Sequence, residues 1–572
     1  MKHFIFLWKF LDNKEKVYFF YIIFLMIIQA VLEILSIALI IPFTALILDP
    51  SQKTNLLFFD NFHFIFDDYK RDSLLPIYAT LFFFIFVIKN FTLIFIYNVF
   101  YNYSKIIRAS LSTKLLSKYL KQDYGYFVKT SFSKIQSNLL NEITTLLHNF
   151  VIPIQVILSE GIILISIMVL LFITNNFQGA LIVVPTFIIV GFIVKLLNQK
   201  IKVLGEERVT TNRDNAKLTH YILLGVRDIL LMGKTKKVLN YFTKLQLKIG
   251  EIDAKFQIIR LLPKNLIEIF GLLSFLLLVI FLFNQGSQNN EIITTLTFYF
   301  FVAYRILPSI NKIFTHYQMV KFSKNSVLII GNDLSLKDKI YLNVNDNLRI
   351  DFKKDIILKK ISFSYQDQKI LDSVDMKITK GEIIGIQGDS GSGKTTLLNI
   401  ISRLSEPAEG KIILDGKSLE SKKEIRAYQN LISLISQDTF LIEGSIKENI
   451  LLGTDGYDEQ RFKNSLELSL VNDFLLSLPE GLNTLVGTNS KMISSGQKQR
   501  IAIARQFYSD KELFIFDEAT NAIDEKNENN IFENIKNFKS NKTIIIVSHN
   551  SKNLRVCDKI YYFNNGKLLK KN

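Results

Sequence analysis

GEIIGIQGDSGSGKTTLLNII, residues 381–401, reads as a short β-branched strand, a glycine-rich loop and a helix with apolar residues at helical spacing. Strand, loop and helix in that order form the context in which G-x-x-x-x-G-K-[ST] holds phosphate, as distinct from a chance match. Gly388, Gly391 and Gly393 free backbone N–H groups to wrap an anion, with Asp389, Ser390 and Ser392 between them. Lys394 is positioned to reach the β- and γ-phosphates and the Thr395 hydroxyl to coordinate Mg²⁺; Thr396 follows in the first helical turn. Alone, this loop leaves many nucleotide-binding classes open. LFIFDE, residues 513–518, narrows them, because an apolar strand ending in Asp517 and Glu518 offers one carboxylate for Mg²⁺ and another for an attacking water. The competing reading is two acids on a loop after a buried strand. Tyr365, Gln437, ISSGQ at 493–497 and His549 complete a series in the order expected of an ATP-driven motor.

At 572 residues the chain exceeds one hydrophobic core. Apolar runs dominate from residue 17 to about 325, and the rest reads as soluble α/β. The expected organisation is an α-helical membrane domain over 1–330, a polar linker over 331–347 and an α/β P-loop ATP-binding cassette over 348–572. The formal charge of +17 comes from lysines and arginines beside apolar runs, not from aromatic-interleaved patches, which points to a membrane surface and away from nucleic acid. Cys557 is the single cysteine, so an intramolecular disulfide framework and a multi-cysteine metal site are excluded. The apolar stretch after Val17 is about twice the length of a signal-peptide core and lacks a small-residue cleavage site, so it is expected to stay as a membrane helix.

Stretches long enough to span a roughly 30 Å hydrocarbon layer begin near Val17, Leu74, Leu146, Ala180, Leu262 and Ile292, giving six expected spans. Residues 100–135 and 195–262 are rich in lysine and arginine, whereas the connectors 175–179 and 284–291 have none. The positive-inside rule therefore puts both termini and the two basic connections in the cytoplasm. Those connections keep a helical pattern, so helices two to five are expected to extend beyond the bilayer. Short turns around 123–127 and 223–227 could then touch a cytoplasmic domain. Ionisable residues inside spans are costly and are functional candidates by default. At ~1.5 Å rise per residue, Lys89 and Arg305 fall in the inner half of the bilayer and Lys264 near its inner boundary. They form either a ladder for an anionic headgroup or, with Glu33, Glu160 and Glu268, salt bridges within the bundle. The outer loop 49–73 carries NLLFFDNFHFIF, which reads as an interfacial segment or as packing against helix ends.

Six spans followed by this motif series resemble the ATP-binding cassette exporters, here as a half-transporter, over essentially the whole chain. The resemblance implies ATP and Mg²⁺ as cofactors. It assigns Tyr365 to adenine stacking, Gln437 to the loop that senses Mg²⁺ and contacts the membrane domain, Glu518 to general base and His549 to the γ-phosphate switch. ISSGQ opens the helical GQKQRIAIARQF, so Ser494, Ser495, Gly496 and Gln497 lie at a positive helix end suited to a γ-phosphate. In this family that surface completes the site of the opposite cassette, which implies a homodimer with two ATP sites. Ser495, Thr488 and Asn550 depart from the usual pattern. The segments LEILSIALIIPF (32–43) and YRILPSINKI (304–313) are similar to bacterial lipid-linked oligosaccharide flippases of the PglK type. That group implies a bacterial inner-membrane protein moving a polyprenyl-pyrophosphate glycan, with Lys89, Lys264 and Arg305 near the pyrophosphate. A drug, lipid A or peptide exporter is the alternative cargo reading. A non-pumping ATP-gated channel or regulatory subunit is the alternative class, against which intact Glu518 and His549 argue.

Overall fold

The computed structural model describes residues 2–571 apart from 41–42, 45–46, 48–70, 174–179, 285–288, 341–349, 366–367, 390, 438, 455, 488–492 and 539–541. The chain divides into two compact units, residues 1–120 with 130–337, and residues 121–129 with 338–572.

The first unit is helical: α1 (Lys2–Trp8), α2 (Asn13–Ala38) and α3 (Arg71–Leu120), then, beyond α4 (Tyr124–Lys129) of the second unit, α5 (Phe132–Ile173), α6 (Ala180–Leu224), α7 (Val226–Leu231), α8 (Thr235–Asn284), α9 (Asn289–Phe322) and α10 (Lys324–Leu334). α2 begins at Asp12, whose N–H donates to the Glu15 carboxylate at 2.7 Å, a capping box that meets the unpaired donors of the first turn. One face of α2 is buried through Ile22, Met26, Glu33 and Ile37, yet Phe20, Phe24, Ile27 and Val31 on the other face are apolar and exposed. A helix apolar on both faces but buried on one belongs against lipid. By length and composition α2, α3, α5 and α8 are able to cross a membrane. The phenylalanine-rich segment 55–66 lies outside the described residues.

The span expected from Leu146 belongs to a helix that begins at Phe132, and two π-turns, Asn138–Glu142 and Leu147–Val151, lie within it. The stretch ahead of Leu146 is polar, with Lys134 and Glu142 its charged residues, and the helix continues through it, in line with the helical pattern expected to run past the apolar span. Stripes at helical spacing, Ile163, Ile167 and Leu170 of α5 with Tyr299, Val302, Ile306 and Ile310 of α9, make the central core together with Val190 and Val194 of α6. Further along, the Arg208 guanidinium of α6 donates to Glu142 at 3.1 Å and to Ser326 at 2.8 Å, tying α5, α6 and α10. Here α6 also meets the end of α9 backbone to backbone, because a Cβ on Gly205 would lie 2.2 Å from the Phe322 carbonyl oxygen. Gly205→Ala is expected to lower the unfolding temperature of the detergent-solubilised protein, at an overpacking cost of ~1–3 kcal/mol. Gly161→Ala, which meets nothing within 4 Å, is the control. Equal melting of the two variants would mean that the helices separate without cost.

The chain expected to leave the helical domain at Gly331 stays helical to Leu334, because Ile330, Gly331 and Leu334 are buried and Gly331 packs under the Phe6 ring of α1. α4 groups with the second unit: the Tyr124 N–H donates to the Leu404 carbonyl at 3.3 Å, and Lys339 pairs with Asp123 at 2.7 Å. α7, in contrast, has no buried residue.

The second unit carries β1 (Asp355–Tyr365), β2 (Gln368–Thr379), β3 (Ile383–Gly388), α11 (Lys394–Ile401), β4 (Glu409–Leu414), β5 (Lys417–Ser418), α12 (Lys422–Gln429), β6 (Ile432–Ile435), β7 (Gly444–Ser445), β8 (Leu485–Val486), α13 (Ser495–Ser509), β9 (Leu513–Asp517), α14 (Glu525–Phe538), β10 (Thr543–Val547), β11 (Lys559–Asn564) and β12 (Lys567–Lys571). β2-β1-β4-β5 form an antiparallel sheet, and a six-stranded sheet has the order β12-β11-β3-β10-β9-β6. Within the latter, all neighbours are parallel except the β11–β12 edge pair. β9 and β10 are buried at every residue, as parallel strands covered on both faces must be, hence the uninterrupted LFIF and TIIIV. Cys557 packs beside Gly385, and burial pushes its thiol up to about 12.

Candidate functional site

β3, β10, β9 and β6 are consecutive and parallel, and the four expected nucleotide segments leave from their carboxyl ends: the phosphate loop after Gly388, His549 after β10, Glu518 after β9 and Gln437 after β6. That edge is where open parallel sheets bind ligands, since loops and helix N-termini converge there. The loop glycines are required by geometry at both ends. A Cβ on Gly388 would lie 2.4 Å from the Phe563 carbonyl oxygen, and Gly393 has φ +114°, a left-handed conformation at the N-cap of α11.

Lys394 is buried, and its ammonium donates to the carbonyls of Gly388 at 2.9 Å and Asp389 at 2.8 Å. Burial lowers its pKa, against the opposing pull of Glu518, Asp517 and Asp389. A phosphate arriving here would replace neutral carbonyl acceptors by charged oxygens, which make hydrogen bonds roughly twice as strong. The Thr395 hydroxyl donates to the Asp517 carboxylate, whose pKa burial raises in spite of that bond. A hydroxyl beside a carboxylate is a hard-oxygen set that fits Mg²⁺, an ion that takes one or two protein oxygens and completes its shell with phosphate and water. Among the described residues no group of three His, Cys, Asp or Glu side chains is arranged to hold a metal by itself.

Glu518 has φ +51°, the left-handed region that non-glycine residues enter at a cost of ~1–2 kcal/mol. The turn is held by its N–H, which donates to the Val547 carbonyl at 3.1 Å, and by the Asn521 amide, which donates to the carboxylate at 3.1 Å. His549 Nε2 lies 2.6 Å from the other carboxylate oxygen. Asn521 was not selected from the sequence, where nothing marks it as the partner of the Glu518 carboxylate. The Ser494 hydroxyl caps α13 by accepting from the Gln497 N–H at 3.2 Å, and Gln497 Oε1 accepts from the Ser494 N–H at 2.8 Å. Ser495 is exposed at the first helical position. Gly496 admits no side chain, since a Cβ would lie 2.7 Å from the Ala522 carbonyl oxygen. Asn550 serves its own turn, its N–H donating to Ser548 Oγ and its side chain accepting from the Lys552 N–H.

The structure therefore brings together Gly388, Asp389, Lys394, Thr395, Asp517, Glu518 and His549. Gln437 is exposed and has no hydrogen bond among the described residues, and Ser494–Gln497 are not bonded to the phosphate loop of their own chain. Tyr365 ends β1 and pairs with Gln368; its side chain, Ser390 and Thr488 lie outside what is described.

In the helical unit a second cluster forms. Arg305 of α9 pairs with Glu33 of α2 at 2.6 Å and Glu160 of α5 at 3.2 Å; Lys89 of α3 adds to Glu33 at 3.2 Å and Lys312 of α9 to Glu160 at 2.6 Å. Ser309 donates to Glu160 at 2.7 Å. Lys312 was not selected from the sequence, although it lies two turns below Arg305 on the same helix face. The expected share of Glu268 and Lys264 in this pairing is corrected. Both are exposed on α8 with no ion pair among the described residues, because the buried stripe there runs through Pro263, Ile267 and Gly271, one position round the helix.

Comparison with known proteins agrees with this architecture. Residues 19–307 match the ABC transporter transmembrane region and residues 371–521 the ABC transporter family. The chain belongs to the ABC transporters, with the transmembrane region and the ATP-binding domain on one polypeptide, and it couples ATP hydrolysis to transport. It is 27% identical over 476 residues to the heterocyst differentiation ATP-binding protein HepA of Nostoc sp., covering 82% of this chain and 77% of that one. It is 21% identical over 471 residues to an ATP-dependent lipid A-core flippase of Cupriavidus pinatubonensis, covering 81% and 79%. A bacterial Atm1-family ABC exporter with ATP bound shares the fold, with a TM-score of 0.77 at 17% identity over 95% of this chain and 94% of that one.

Proposed function

We propose that this exporter flips a polyprenyl-pyrophosphate-linked oligosaccharide from the cytoplasmic to the periplasmic leaflet of a bacterial inner membrane, for glycoprotein or O-antigen assembly. It works as a homodimer with six spans per subunit. The observation that carries the reading is the charge balance of the interhelical cluster: among the described residues Lys89, Arg305 and Lys312 pair with Glu33 and Glu160, leaving one positive charge in excess. A surplus charge in an apolar bundle is costly, and an anionic headgroup relieves it. Lys264 is exposed and without an ion pair among the described residues, but so is Glu268 one turn on, so the surplus rests on the Arg305 cluster alone. The likeness to a lipid A-core flippase supports a lipid cargo. Dimerisation is supported by the tip around α7, where Leu224, Leu230, Leu231 and Met232 are 71%, 64%, 76% and 69% exposed and want a cover that a second copy can supply.

In the cassette, Lys394 and the loop amides bind the phosphates of ATP, while Thr395 and Asp517 hold Mg²⁺, which supplies charge neutralisation. Glu518 accepts the proton of the attacking water. His549 orients that carboxylate and meets the γ-phosphate. Tyr365 stacks on adenine, Gln437 senses the ion, and Ser494–Gln497 cap the nucleotide of the partner subunit.

Arg305→Ala tests the cargo reading cleanly, because it removes the surplus charge yet leaves Glu33 with Lys89 and Glu160 with Lys312. Neither carboxylate is stranded, so the ~3–5 kcal/mol penalty of a broken buried pair is largely avoided. In reconstituted vesicles the variant is expected to move labelled lipid-linked oligosaccharide at least roughly tenfold more slowly, with basal ATP hydrolysis within about twofold of the parent. Normal crossing by a stable Arg305→Ala protein would remove the cluster from the cargo path.

A further inference from the structure

Away from both clusters, α5, α6 and α8 enclose a cleft of about 680 Å³, within the ~300–1,000 Å³ typical of ligand sites. Ten of its fourteen lining side chains carry an amide, hydroxyl or imidazole, among them Ser137, Asn141, Thr144, Asn212, Asn215 and Gln246, and none is Asp, Glu, Lys or Arg. The absence of charge is informative because this stretch of α6 and α8 is dense in lysine, with Lys217, Lys244 and Lys248 all turned elsewhere. Arg208 approaches through Thr145, but its guanidinium is committed to Glu142 and Ser326. Gln246 donates to Asn215 Oδ1 at 2.9 Å, which orients two amides and joins α8 to α6. Ser137 is buried behind the wall, and the amides that open on the cleft are those of Gln136 and Asn141, which are exposed, and of Asn212, Asn215 and Gln246, which are half-buried.

We propose that this cleft binds a neutral, hydroxyl-rich ligand: the carbohydrate portion of the cargo. Paired donors and acceptors without charge match sugar hydroxyls and N-acetyl groups, and Leu140, Leu223 and Ile249 offer apolar surface to the C–H faces of a pyranose. A second copy of the chain fits this surface less well, since the centre of a stable homodimer interface is mainly apolar. Identifying the ligand with the transported glycan rests on the flippase reading; the ligand class rests on the cleft alone.

The probes are two lipid-free neutral oligosaccharides, an N-acetylglucosamine hexamer and maltohexaose, titrated into the full-length detergent-solubilised protein and followed by saturation-transfer NMR. At least one is expected to saturate with affinity on the order of 1 mM. Asn141→Leu combined with Asn212→Leu, which leaves the Gln246–Asn215 bond in place, is expected to weaken it roughly tenfold, with ATPase rate and melting unchanged. Arg305→Ala should bind the sugars as the parent does. No saturation by either probe, or equal binding by the double variant, overturns the site. So does a shift of the double variant from dimer to monomer in light scattering, which would assign the cleft to contact between copies. Sugar binding in a protein that never moves lipid-linked oligosaccharide would sink the flippase reading and keep the site. Transport without sugar binding would sink the site and keep the flippase.

Discussion

Glu518→Gln is expected to lower ATP turnover at least about 100-fold while ATP affinity changes little, the range general-base removal spans being ~10²–10⁴. The substitution keeps the size of the side chain and an oxygen able to accept from the Asn521 amide, now at 3.1 Å, so the turn at φ +51° is not disturbed. What it removes is the capacity to take a proton from water. The phosphate cradle is a separate structure: Lys394 is anchored on the Gly388 and Asp389 carbonyls, and the Thr395–Asp517 contact does not pass through Glu518. Phosphate release from purified protein, alongside binding of a fluorescent ATP analogue, separates the two effects. Turnover close to the parent's would transfer the role of base to another group, His549 at 2.6 Å being the nearest.

The cassette was legible because its chemistry is written in short contiguous runs, each at the carboxyl end of a strand, and those strands are neighbours in one sheet although their order there, β3-β10-β9-β6, is not chain order. Gly388, Asp517 and Val547 end strands that lie side by side, so reading three strand ends amounts to reading the site. The strained turn at Glu518 was not legible: nothing in the residue types indicates a positive φ, which follows from the bond between its N–H and Val547.

In the helical unit, hydropathy located the apolar stretches, and it was the helical pattern of the polar connections that indicated helices running past them, as α5 does in beginning at Phe132. Ion-pair partners were least accessible. Arg305 meets Glu33 and Glu160, which lie on α2 and α5, far away in the chain. Proximity in sequence had favoured Glu268 for Lys264, four residues apart, but both point away from the core of α8. Helix rotation decides such partners, and it is set by Ile267 and Gly271 packing inward, with a Gly271 Cβ only 2.8 Å from Leu307. Gly205 and Gly331 carry the same lesson, because each is small on account of a neighbour that the chain reaches only after folding.

Ser494→Arg is expected to abolish hydrolysis although it changes no residue of its own chain's phosphate cradle. Ser494 caps α13 and is exposed, as a surface awaiting a partner's nucleotide would be, and arginine there replaces a small hydroxyl by bulk and charge. Loss of the cap costs only ~1 kcal/mol, too little to unfold the cassette, so inactivity would arise from the site itself. Dimers purified with one Ser494→Arg and one Glu518→Gln subunit distinguish where that site lies. If sites are shared head to tail, one site carries both lesions and the other carries neither, so the mixed dimer retains one competent site. If each chain completes its own site, both sites in the mixed dimer carry one lesion and neither turns over. Vanadate trapping of labelled nucleotide reads the sites individually. One trapped nucleotide per mixed dimer and none in either parent homodimer is the expected result, while an active Ser494→Arg homodimer would refute the shared site.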